Sequence, residues 1–318
     1  MTVRKIVAFA SALMMSLALM ACSEAEAGKD VDSLPAWDGQ IPSVVGSGEN
    51  TKLEFPQSEA PTELQVWPVA EGSGDPVAET DFVVANYEGQ VWGSDTPFDS
   101  SFQRNSPTIF SLQSVIKGWT QGLAGLPVGS KVVLSIPPAL GYGASGGNAS
   151  AGIGAEDVIA FYVEIVDAFG PNEGGQASAE SEADPESLPV TLQGELGEPV
   201  TLSVKDGAAE PTEQSLTVLA RGTGDPVASE PNTMLVIQYS GISWDGANSE
   251  SSYGQAGPQQ LTVGQNDFFD QLVGVPVGSR VLLLAPAVDG AGAEDGAQQR
   301  HVALAYVIDI LAQYPPAN

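Results

Sequence analysis

Apolar and polar positions alternate with a period of two through much of this chain. Val83, Ala85 and Tyr87 alternate with Val84, Asn86 and Glu88, and Ile159, Phe161, Val163 and Ile165 alternate with Ala160, Tyr162, Glu164 and Val166. Both stretches predict half-buried β-strands. Residues 131–136 (KVVLSI) and 63–69 (ELQVWPV) predict two more. One short stretch has helical spacing instead: Ile116, Trp119 and Leu123 fall at i, i+3 and i+7, with Ser114 placed to cap the helix and Pro127 beyond its end. The pattern implies a small antiparallel sheet with a short helix on one face, an α+β layer arrangement.

The pattern then recurs. GLAGLPVGSK at 122–131 returns as QLVGVPVGSR at 271–280, and PTELQVWPVA at 61–70 as PTEQSLTVLA at 211–220. EGSGDPVAETDFVVANYEG at 71–89 returns as RGTGDPVASEPNTMLVIQYSG at 221–241, and AFYVEIV at 160–166 as AYVIDIL at 305–311. The spacing is that of whole domains rather than solenoid repeats. The shared PVGS is a turn, where Pro and Gly meet backbone demands. Between the copies, 170–187 (GPNEGGQASAESEADPES) has almost no large apolar residue and predicts an acidic flexible linker. The division expected is 36–169 for the first domain and 188–318 for the second.

The first residues stand apart. Arg4 and Lys5 precede an apolar run, Ile6 to Met20, and small residues precede Cys22. This is the layout of a secretory signal, residues 1–21, too short for a comfortable membrane span. Leu19-Met20-Ala21-Cys22 also resembles a bacterial lipobox, which makes Cys22 the candidate lipidation site; the alternative is an ordinary cleaved signal. Cys22 is the only Cys in the chain, so the fold uses no disulfide. Residues 22–35 read as a flexible tether with a reach of roughly 20 Å. The expected location is the extracytoplasmic face of the cell membrane, held by a lipid anchor.

Charge narrows the partners. Forty acidic residues against eleven Lys and Arg leave a net charge of −29. That argues against nucleic acid and against lying flat on anionic lipid. His301 has no companion ligand at metal spacing, so no metal is expected. GYGASG at 141–146 fits G-x-G-x-x-G in letters only: Pro137 and Pro138 precede it and no helical pattern follows. No cofactor is expected. Asn148-Ala149-Ser150 is taken as a chance match to a glycosylation sequon.

Four motifs in register carry a family resemblance: YEGQVWGSDTPFDSSF (87–102), VIKGWTQGLAGLPVGSK (115–131), LSIPPALGYGASG (134–146) and VIAFYVEIV (158–166). Together they resemble an FKBP-type peptidyl-prolyl isomerase, closely over 60–168 and more weakly over 210–312. The resemblance implies two tandem FKBP-like domains of the α+β class, each an antiparallel sheet curled around one short α-helix. It implies a catalytic pocket of Tyr87, Phe98, Asp99, Ile116, Trp119, Tyr142 and Phe161. Val115, Phe110 and Ile153 are the added substrate-binding candidates. Trp119 would form the floor, and the Ile116 N–H and the Tyr142 hydroxyl would hold substrate carbonyls. Thr108 stands where the family often has an aromatic, and Phe110, two residues on, is the candidate to fill that wall. The implied partners are proline-containing polypeptides, with macrolide inhibitors admitted by the same pocket.

The second copy keeps Tyr239 at the place of Tyr87, Phe268 at Trp119 and Tyr306 at Phe161. Ser249 and Glu250 replace Phe98 and Asp99, Gly264 and Gln265 replace Val115 and Ile116, and AVDGAGAED (287–295) has no Tyr. It is expected to be degenerate and largely inactive. Two functions follow as expectations: a foldase for X-Pro bonds of exported proteins, or a chaperone-like lipoprotein that holds client chains with little isomerase activity. A purely structural lipoprotein is a weaker third.

Overall fold

The computed structural model describes residues 40–287 and 302–316. The signal segment, Cys22, all of the tether and His301 lie outside them. Among the described residues no helix is long and apolar enough to cross a membrane.

The chain opens with a hairpin, β1 (Ser43–Val45) and β2 (Lys52–Glu54). Next come β3 (Gln65–Ala70), β4 (Phe82–Val91), β5 (Pro97–Ser100), a single helical turn α1 (Ser101–Arg104) and β6 (Thr108–Ser111). Helix α2 (Lys117–Leu123), β7 (Lys131–Ile136) and β8 (Ile159–Phe169) complete the first unit. The strands form one antiparallel sheet ordered β3-β7-β8-β4-β5, with β6 also paired to β4.

The second unit repeats this plan. After β9 (Glu180–Ser181) comes a second hairpin, β10 (Val190–Gln193) and β11 (Thr201–Val204). Then follow β12 (Ser215–Arg221), β13 (Met234–Ser243), β14 (Ser249–Ser251), β15 (Gln259–Thr262), β16 (Arg280–Ala285) and β17 (Leu304–Tyr314). Their order is β14-β13-β17-β16-β12-β9, with β15 paired to β13. Register ties the repeats together: Gly89 faces Phe161 and Asp99 as Gly241 faces Tyr306 and Glu250.

Three expectations are corrected. The strands are not half-buried: β4 and β8 are buried along most of both faces. One face packs with Trp119, Leu123 and Leu134. The other is covered by the first hairpin, whose Leu53 packs with Val133, Ala160 and Tyr162. Beside it, a second patch joins the two sheets through Val84, Phe169, Met234 and Val236.

Second, the second unit has no α-helix among its described residues; a 3-10 turn, Phe269–Leu272, stands where α2 would be. In the first unit two glycines let α2 lie on the sheet: a Cβ at Gly118 would come within 2.4 Å of Ile136, and one at Gly122 within 3.0 Å of Leu134. The matching positions hold Asp267 and Gln271. Their side chains bar the same close approach.

Third, residues 170–187 are not a loose linker. The Pro171 carbonyl accepts from Gln238 Nε2 and Gly254 N, Gln176 N–H donates to Gly278 O, and β9 pairs with β12. Small residues at 174–175 bring the backbone against Gly197 and Gly278, so low apolar content here serves close approach rather than freedom.

Candidate functional site

The four motifs converge on one face of the first sheet. Tyr87 on β4 and Phe161 on β8 point to the same side, and Gly89 makes room between them. A Cβ there would meet the rings of Phe161 and Phe98 within 2.8 Å. Helix α2 sets Trp119 beneath. Its indole stands edge-on to Tyr87, Phe110 and Phe161, at centroid distances of 5.6, 5.1 and 5.3 Å. Phe98 closes the far wall against Phe161 at 5.5 Å. Trp119, Tyr87 and Phe161 are each only 4% exposed, so the walls of the cup are fixed by packing.

The cup encloses a cavity of about 280 Å³, lined by Tyr87, Phe98, Asp99, Phe110, Ser114, Val115, Ile116, Trp119, Tyr142 and Phe161. All the sequence-derived candidates but one meet here. The exception is Ile153, which does not line the cavity. A paired bridge between Asn148 and Ile153 turns it into the core, where it is 4% exposed. Thr108 stays off the cavity, and Phe110 supplies the wall against Tyr87 at 5.3 Å. Ser114 does not cap α2: the N-cap is Ile116, with no side-chain cap bond, and Ser114 lines the cavity instead.

Polar groups sit at the rim. The Ile116 N–H, at the mouth of α2, meets no acceptor among the described residues, and neither does the Tyr142 hydroxyl. Both remain available as donors to a bound carbonyl.

Asp99 is held by two donors. The Tyr87 hydroxyl donates to its Oδ2, and Arg104 Nη1 donates to its Oδ1. Arg104 Nη2 also donates to the Tyr87 oxygen at 2.7 Å, with the guanidinium 5.6 Å from the ring centroid. Burial would raise the Asp99 pKa, but the bonds from Tyr87 and Arg104 outweigh it and hold the carboxyl below its ordinary value. Burial and then the bond to Asp99 push the Tyr87 phenol up to about 12. The network is thus a fixed ion pair that orients a ring, with no group poised to exchange protons near neutrality.

Arg104 was missed from sequence. Its position depends on α1, a single turn too short for periodicity to reveal. The available signal was local: Ser100 accepts from Gln103 N–H as an N-cap, and Asn105 ends the turn in the left-handed region at φ 53°.

In the second unit the aromatics thin out. Tyr306 contacts Tyr239 at 5.8 Å and Phe268 at 5.9 Å. Glu250, at the register of Asp99, accepts from the Tyr306 hydroxyl at 2.7 Å rather than from Tyr239. The nearby cavity, about 260 Å³, is lined by Ser243, Asn248, Ser249, Glu250 and Tyr306 among others, and by no Trp or Phe. The segment matching the Tyr142 loop, 288–301, lies outside the described residues.

Residues 74–166 match the family described as FKBP-type peptidyl-prolyl cis-trans isomerase. The FK506-binding protein of Streptomyces anulatus is 37% identical over 124 residues, covering 37% of this chain and 96% of that protein. The isomerase FkpA of Escherichia coli is 38% identical over 116 residues, 36% of this chain and 40% of FkpA. The crystal structure of FkpA aligns over 33% of this chain and 47% of its own with a TM-score of 0.31. The chain therefore spans about 40% of the length of FkpA.

Proposed function

Since this chain belongs to the FKBP-type peptidyl-prolyl cis-trans isomerase family, we propose that its first unit catalyses rotation about X-Pro bonds of polypeptides. The observation that carries the reading is the aromatic cup with two uncommitted donors at its rim.

The chemistry needs little more. Amide resonance sets a rotation barrier of about 18–20 kcal/mol. Uncatalysed X-Pro exchange takes on the order of tens to hundreds of seconds. As the bond twists, resonance is lost, the group becomes less dipolar and the nitrogen pyramidalises. A cup of Trp119, Tyr87, Phe98 and Phe161 favours the less dipolar twisted form over the planar one. The Ile116 N–H and Tyr142 hydroxyl anchor flanking carbonyls while the ring turns, so binding is tightest in the twisted state. No nucleophile or general base takes part. The Asp99–Arg104 pair keeps the Tyr87 ring in place.

The second unit is, on this reading, a degenerate copy of the same fold with little or no turnover. Export, lipid attachment at Cys22 and action on exported proteins at the outer face of a membrane complete the proposal; the leader and its Cys support them. Macrolides are candidate ligands of the first cup. The second reading, a client-holding module, is favoured by the partly exposed aromatics Tyr239, Phe268, Phe269 and Tyr306.

Exchange of a short X-Pro peptide, followed by NMR, tests the first reading. Tyr142→Phe should slow turnover about fivefold, the worth of about 1 kcal/mol of hydrogen bond. Turnover that survives this change undiminished would remove Tyr142 from the mechanism. No turnover by the unaltered chain would leave the holding module as the better reading.

A further inference from the structure

A second, larger cavity of about 540 Å³ lies on the opposite face of the first sheet, between the first hairpin, α1 and the end of β17. Its chemistry differs from that of the cup. Three rings line it, Phe102, Tyr162 and Tyr314, with Asn86, Gln313 and one carboxylate, Glu164; no Lys or Arg does. Phe102 stacks nearly parallel on Tyr162, at 5.9 Å and 10°.

The second unit shows what this place can hold. Arg280 pairs across the strands with Asp309, in the register in which Lys131 faces Glu164. Arg280 bonds both oxygens of Asp309, each at 2.8 Å, and reaches over to the carbonyls of Glu195 and Glu198 in the loop of the second hairpin. Tyr253 donates to the same carboxylate. A guanidinium there bridges the sheet carboxylate and the hairpin loop, and both partners are buried.

In the first unit the shorter Lys131 does not make this bridge. Its ammonium bonds Glu164 Oε1 at 2.9 Å and stays about half exposed. The Tyr162 hydroxyl bonds the same oxygen at 2.6 Å. Glu164 Oε2 keeps its acceptor capacity. The hairpin loop, including Gly46, Ser47 and Gly48, then lines an open space rather than a filled one.

We propose that this cavity is a binding site for an organic cation on an aliphatic stem, namely the Arg or Lys side chain of a polypeptide. The guanidinium takes the place that Arg280 fills in the second unit. Glu164, whose Oε1 already accepts from Lys131 and Tyr162, supplies its Oε2, the Phe102, Tyr162 and Tyr314 rings supply cation–π faces, and Asn86 offers an amide oxygen; the Gln313 oxygen already accepts from the Ala228 N–H. A net charge of −29 raises the local concentration of such a group. The site stands whether or not the cup is catalytic.

The test is an NMR titration of the full chain with N-acetyl-arginine amide, and with its neutral urea isostere N-acetyl-citrulline amide, at constant ionic strength. The arginine amide should give saturable shifts at Asn86 and Gln313, and the citrulline compound should bind about tenfold more weakly, as expected for loss of a charged hydrogen bond. Glu164→Gln should weaken the arginine compound by a similar factor. Equal binding of the two compounds, saturable shifts elsewhere only, or no saturation would overturn the proposal. The comparison of the two compounds on the unaltered chain does not depend on whether the variant folds.

Discussion

At the scale of single residues, the cup was legible because four motifs fixed the spacing of large aromatics whose positions then follow from strand alternation. Tyr87, Phe98, Trp119 and Phe161 meet as expected, and Phe110 takes the wall that Thr108 leaves. Ile153 and Arg104 were misplaced or missed because irregular backbone, a bridged loop and a one-turn helix, decides where they point. Glu88 is a different case. It sits between Tyr87 and Gly89 with its side chain on the other face, fully inaccessible, and neither carboxyl oxygen has a partner at full hydrogen-bond geometry. Burial raises its pKa, the Asp99 charge adds to this, and the Ser100 hydroxyl works against it. At pH values between the ordinary value and the raised one, the folded protein therefore holds a proton that the unfolded chain has released. The stability from this group is complete below the ordinary Glu value of about 4.3 and is lost as pH rises through the raised folded value. Glu88→Gln should remove that loss, so that the variant holds its stability as pH rises through the range where the parent's falls. Urea titrations at several pH values would show it; a variant whose stability falls with pH as the parent's does would contradict it.

At the scale of elements, period-two alternation located β3, β4, β7 and β8, and the repeat carried the same reading to β12, β13, β16 and β17. The two hairpins escaped it because strands of three or four residues show too few alternations. The helix of the second unit was expected by homology with α2 and does not form. The difference lies in Gly118 and Gly122, which face Ile136 and Leu134, against Asp267 and Gln271. Gly118→Ala would put a methyl 2.4 Å from the Ile136 side chain. Although Ala is the better helix former, the change should destabilise the first unit by about 1–3 kcal/mol, the usual range for overpacking. It should also lift Trp119 from the cup floor. A thermal melt with Trp fluorescence reads both effects; an unchanged or higher melting temperature would mean that α2 is free to shift.

At the scale of the whole molecule, sequence repetition marks two copies but does not say how the two sheets are joined. The 170–187 segment reads as a spacer from composition alone, yet its carbonyls and amides are committed to the second unit. Val84, Phe169, Met234 and Val236 form a shared apolar patch, and the Tyr314 hydroxyl donates to Asp167 at 3.0 Å. A Cβ at Gly257, in the second unit, would overlap the Phe82 ring of the first. These contacts depend on which strand ends meet, and one-dimensional pattern does not carry that information. The proposed division of labour is the central claim: one cup to turn X-Pro bonds and a second copy with little or no turnover. The most direct test is NMR exchange of a short X-Pro peptide with the full chain, with Phe98→Ser in the first cup and with Tyr306→Ser, at the place of Phe161, in the second unit. The account expects catalysis by the parent, a loss of about tenfold or more with Phe98→Ser, as for removing a ring worth about 1.5 kcal/mol or more, and no change with Tyr306→Ser. Equal losses from the two substitutions, or a loss confined to the second, would contradict it.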